Sequence, residues 1–229
     1  QLELFSENTE HHKIIVNAFK YIVSKIIETE GKPDILKYNK QSYKKFILFD
    51  NINMIFRIYG RDSLVLISKI YEGLNCYLSN DPNYLHQRAK CYIKLASSES
   101  DYGKKIELFE KSSRDTNLAY KIFEQRYSEC GNNKILISLA HVEYTQAVVL
   151  CHKCNINNYK NIDENTRAIL TLSSALASPH NSYDYAKKDY INYDNVVLKL
   201  FNKTMEDNST INDEAKNSVE NLFKLLKEN

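Results

Sequence analysis

Apolar residues recur at intervals of three and four along nearly the whole chain, the spacing that places them on one face of an α-helix. Ile14, Ile15, Ala18, Phe19, Ile22, Val23, Ile26 and Ile27 form the first such stripe, in a helix that opens near Ser6 and is stopped by Gly31 and Pro33. Between Ile35 and Tyr59 the apolar positions are dense enough for one buried helix, or for two broken near Asp50, and Gly60 ends the run. Asp62 is placed to cap a helix carrying Leu64, Ile67, Ile70, Tyr71, Leu74 and Leu78. Asn80-Asp81-Pro82 reads as the cap and first turn of the next helix, whose stripe is Leu85, Ala89, Tyr92, Ile93 and Ala96.

Helical spacing resumes from Tyr102 to Tyr127, where the polar run Ser112 to Thr116 predicts a break into two helices and Gly131 a stop. Lys134 to Asn155 is apolar nearly all round, which predicts a central helix. Its Ile135 to Leu150 run is interrupted by His141, Glu143 and Gln146, so we read it as a buried helix and not a membrane span. After a polar turn, Asp163 is placed to cap a helix on Ala168, Ile169, Leu172, Ala175 and Leu176, closed by Pro179. Further helices are expected over Tyr183 to Met205 and Asn212 to Lys227. No alternating run of β-branched residues reads as a strand. The expectation is an all-α chain of about eight to ten helices joined by short links.

Composition agrees with this pattern. Only 5 Gly and 3 Pro occur in 229 residues, too few for the turns of a β-sandwich or the phosphate loops of a doubly wound α/β fold. The net charge of +2 rests on nearly balanced totals of 31 basic and 29 acidic side chains, so no global field draws nucleic acid or anionic lipid. Five cysteines without a framework pattern predict reduced thiols and a cytoplasmic setting. Helical pattern begins almost at once after Gln1, which predicts a piece of a longer protein, with any chemistry of the parent lying outside these residues.

The stripes also repeat. Ala119 with Phe123, Ala168 with Leu172 and Ala175, and Ala215 with Val219 and Leu222 share an Ala-x-x-x-bulky spacing, as expected where the second helix of a pair crosses its neighbour closely. These segments resemble the second helix of the tetratricopeptide repeat, and Ala168 to Pro179 is the best match. The three alanines lie 49 and 47 residues apart, against about 34 for the ordinary repeat, so the repeat is a degenerate one. Leu85, Ala89 and Tyr92 have spacings like those of the family's first helix, as do Leu139 and Ala140 in part. The resemblance implies a tetratricopeptide-like α-solenoid, one elongated domain in which residues 1–80 run continuously into repeats over 81–229.

Asp81 to Ala89, followed after two helices by Asn133 to Val142 with His141, resembles the C-terminal helical repeats of bacterial antiviral STAND-type NTPases and sirtuin-like defence proteins. In those families this part is a sensor or scaffold that touches a phage protein or a sister subunit. The resemblance implies a protein partner, from phage or host or a sister subunit, and no catalysis within these residues.

Chemistry-bearing clusters are few. Cys151-His152-Lys153-Cys154 sets two thiols three apart beside an imidazole, a set that could hold zinc or exchange thiols, but no second cysteine pair has fitting spacing and we read it as structural. His11-His12 reads as part of a solvated helix start, and His141 as a hydrogen-bonded core histidine. Lys37 to Phe46 interleaves basic and aromatic residues and, with Lys187-Lys188, supplies the alternative of a nucleic-acid-binding helical domain. Gly31, Gly60, Gly73, Gly103 and Gly131 are isolated, so no phosphate loop exists, and neither a Gly-x-Ser-x-Gly elbow nor a His-Glu-x-x-His helix occurs. The expectation is a non-enzymatic protein-recognition domain without metal or cofactor, presenting Tyr84, Gln87, Arg88, Glu143 and Tyr144 to its partner.

Overall fold

A computed structural model describes residues 10–30, 43–177 and 194–227, and all of its regular structure there is helical. The Ser6 cap, the Gly31 and Pro33 stop, Lys37 to Ser42, Pro179, Tyr183 and Lys187-Lys188 lie outside the described residues. The chain divides into two compact units, Gln1–Gly131 and Asn132–Asn229. The join between residues 1–80 and 81–229 lies inside the first unit, between two helices that pack together.

The first unit holds α1 (Glu10–Glu30), α2 (Tyr43–Tyr59), α3 (Leu64–Leu78), α4 (Pro82–Ser98) and α5 (Tyr102–Cys130). Helix α2 runs unbroken through Asp50, and Gly60, at φ +61, turns the chain into a short 3-10 segment before α3. Asp62 does not cap α3. It is exposed in that segment, and the residue before α3 is Ser63, whose hydroxyl donates to the Gly60 carbonyl. The Asp81 carboxylate accepts from the Asn83 and Tyr84 amides at 3.0 and 3.1 Å, with Pro82 in the first turn, so α4 begins where the capping pattern predicts.

Helix α5 is a single helix of 29 residues, and the predicted break at Ser112 to Thr116 is absent. Three polar residues of that run face the protein interior: Ser112, Asp115 and Thr116 are all buried. Thr116 satisfies its hydroxyl on the Ser112 carbonyl one turn back, which a helix tolerates. Gly131, at φ +61, ends α5 by donating its amide to the Tyr127 carbonyl.

Within this unit α3 packs on α1, α2 and α4, and α4 on α5. The apolar stripe of α1 is wider than its contact with α3. Val23 and His12 are buried, while Ile14, Ala18 and Ile22, expected in the core, are exposed.

The second unit holds α6 (Asn133–Ile156), α7 (Ile162–Ala177), α8 (Asp194–Glu206) and α9 (Asp213–Lys227). Helix α6 packs on α7 and α8, and α9 on α7. By length and composition α6 could cross a membrane, but 56% of its apolar window is buried inside the protein, as in a core helix. The cap of α7 is Asn161, whose side chain accepts from the Glu164 amide, while Asp163 lies in the first turn. The reversal before it uses two successive left-handed residues, Asn158 and Tyr159, at φ 50 and 59. Asn212 caps α9 through the Ala215 amide.

Candidate functional site

Helix α4 was expected to bury one face and offer the other. Between Pro82 and Ala96 it has no fully exposed residue, because α3 and α5 both pack against it. Tyr84 is fully buried, and its hydroxyl donates to the Tyr71 carbonyl of α3. Burial is the main cause that raises its hydroxyl pKa, opposed by the neighbouring Arg88. Gln87 is half-buried.

Arg88 faces inward as well. Its Nε and Nη2 donate to Asp115 Oδ2 and Oδ1 of α5 at 2.6 and 2.7 Å, a two-pronged ion pair with side chains only 12% and 10% exposed. Nη1 donates to Asn75 Oδ1 of α3 at 2.6 Å and to Tyr84 Oη at 2.9 Å. The guanidinium carbon lies 5.0 and 6.0 Å from the ring centres of Tyr84 and Tyr92. One side chain therefore ties α3, α4 and α5 together. Beside it, Ser112 Oγ donates to the Ala89 carbonyl at 3.0 Å.

Asp115 and Ser112 are the residues the sequence reading missed, and a signal for them existed. Phe109, Ser112, Thr116, Ala119 and Phe123 follow one another at three, four, three and four residues, so the polar run continues a buried stripe.

The remaining anticipated partner residues belong to the second unit. Tyr144 is buried and Glu143 half-buried, so Tyr144, like Tyr84, is not available as a free contact. Large amphipathic side chains in a helix covered on several sides follow their rings inward.

Cys151 and Cys154 are both buried, and burial pushes the Cys151 thiol up to about 12 and the Cys154 thiol higher still. Thiols held protonated in this way are poor nucleophiles and poor metal ligands. Among the described residues no group of three or more His, Cys, Asp or Glu side chains is arranged to hold a metal ion.

The first unit also leaves open the outer side of α5. Glu110, Arg114, Asn117 and Lys121 recur there at four, three and four residues, all exposed. Ile106 and Leu118, 37% and 42% exposed, lie along the two edges of this strip. No protein-family model, curated protein or solved structure matches this chain.

Proposed function

We propose that this chain is a cytoplasmic protein-recognition or scaffold domain, built of degenerate tetratricopeptide-like helix pairs and serving as the C-terminal sensor part of a larger bacterial defence protein. Two sets of residues support the repeat reading. Ala119, Ala168 and Ala215 are fully buried, and Phe123, Leu172 and Val219, one turn after each, are buried too. Helices α4 and α5 form one hairpin and α6 and α7 another, each with a short polar link.

The observation that carries recognition is the asymmetry of α5. Its inner side is fixed to α4 by the Arg88–Asp115 pair and the Ser112–Ala89 bond, so its outer strip is held rigid without needing to order on binding. That strip combines charges of both signs with apolar edges, a composition suited to a polar-rimmed protein contact. The partner-facing role expected of α4 thus passes to α5, beside which Gln87 of α4 keeps partial exposure.

The test is capture from phage-infected and uninfected bacterial lysates, identification of the bound protein, and titration of that protein against purified variants. Arg114→Glu with Lys121→Glu should weaken binding at least about tenfold, roughly 1.4 kcal/mol. Unchanged affinity for every captured protein would remove the α5 surface from this role.

A further inference from the structure

Helix α1 carries a second repeat, independent of the α5 surface. His11, Ile14, Ala18, Tyr21, Lys25 and Glu28 follow one another at three, four, three, four and three residues, and every one is exposed. This is the seam spacing of a two-stranded coiled coil. It lies on the side of the helix opposite His12, Val16 and Val23, which face α3 or are buried. Ile14 and Tyr21 are 60% and 64% exposed, large apolar side chains left open on this side of the helix.

The seam is complementary to itself in only one direction. Laid antiparallel, with Ala18 of one copy against Tyr21 of the other, a small residue meets a large one twice about the two-fold axis. In the same register His11 of each copy faces Glu28 of the other, and Ile14 packs on the aliphatic stem of Lys25. A parallel arrangement would set Lys25 against Lys25 and Glu28 against Glu28, which repel. Lys25 is already ordered over the Tyr21 ring at 5.6 Å and bonded to Glu28 at 2.6 Å, so the strip is partly pre-arranged. A seam of this length would be marginal for two isolated helices, but α1 is already folded on α3 and has no helix-forming entropy left to lose.

We propose that α1 is a self-association surface, pairing antiparallel with α1 of a second copy through Ile14, Ala18, Tyr21 and Lys25. The test is sedimentation velocity of the full chain over a concentration series from low micromolar to near millimolar. The expected result is a monomer–dimer equilibrium that Tyr21→Glu weakens at least about tenfold with the circular dichroism spectrum unchanged. Glu28→Lys should also weaken it, and His11→Glu added to Glu28→Lys should restore it, since the swap rebuilds the end contacts only in the antiparallel register. A chain that stays monomeric throughout overturns the proposal. So does a dimer indifferent to Tyr21→Glu, or a charge swap that fails to restore association.

Discussion

Gly73 of α3 and Val16 of α1 approach so closely that a Cβ at position 73 would lie 2.7 Å from Val16 Cγ1 and 3.0 Å from Lys20 Cε. Lys20 can swing away, but Val16 is β-branched and held at a single preferred rotamer in a helix. Gly73→Ala gains about 1 kcal/mol of helix propensity and loses about 1 to 3 kcal/mol to overpacking, so the net effect is a small loss. Gly73→Leu keeps most of that gain but drives a much larger side chain into Val16, so its net loss is greater. Limited proteolysis should show α1 cut sooner in both variants, the leucine variant first.

The Arg88–Asp115 pair predicts unequal costs for its two kinds of disruption. Asp115→Ala leaves a guanidinium without its carboxylate in a nearly covered site, and should cost about 3 to 5 kcal/mol in urea unfolding. Arg88→Met with Asp115→Leu removes both charges, keeps similar volume, and should recover most of that loss. If the double variant is as unstable as the single, the network to Asn75 and Tyr84 matters more than the charges.

Thiol labelling should divide the five cysteines. Cys76 and Cys130 are exposed and should react within minutes in the native protein, while Cys91, Cys151 and Cys154 react only after unfolding. Burial raises Cys91 and Cys151 to about 12. The folded state therefore holds these protons more tightly than the unfolded chain, whose thiols titrate near about 8.5. Their stabilising contribution is intact below that pH and declines as pH rises toward 12, by about 1.4 kcal/mol per pH unit for each thiol. Chemical denaturation at stepped alkaline pH reads the slope directly.

Asn165 gives the corresponding prediction for the second unit. Its fully buried side chain donates from Nδ2 to the Tyr159 and Thr210 carbonyls at 2.8 and 2.9 Å, while the neighbouring Thr166 hydroxyl accepts from the Asn212 amide. Asn165→Ala should cost about 2 to 4 kcal/mol by stranding two buried acceptors. Asn165→Asp should cost more, since a carboxylate would face both carbonyls. Hydrogen exchange at residues 157–160 and 208–212 should rise in both variants.

Helix ends were the most legible part of this chain, because the residues that set them act locally. Asp81-Pro82, Gly131 and the Asn212 region stop or start helices through bonds to backbone groups within a few positions. Asp62 and Asp163 were misread because a neighbour, Ser63 or Asn161, occupies the turning position instead. The break expected in α5 failed for a different reason. Ser112 to Thr116 has the composition of a turn although its spacing continues a buried stripe, and the groups that satisfy it there, the carbonyl of Ala89 and the guanidinium of Arg88, lie more than twenty positions away.

The same distance explains the partner residues. A local helical pattern assigns Tyr84 and Arg88 to a polar face, and cannot register that Asp115 and Asn75 stand opposite them on two other helices. The α5 strip was legible as spacing, yet it gained meaning only once its inner side was known to be closed.

The cross-links between α4 and α5 also set how the hairpin carries load. Arg88 to Asp115, Ala89 to Ser112, and Lys111 over the Tyr92 ring at 5.9 Å all fall within about one turn of each other. A pull along α5 is thus borne in shear by several bonds at once. Sliding to the next register, about 5.4 Å away, would require them to break together. Since Arg88 also holds Asn75, the same side chain links this hairpin to α3.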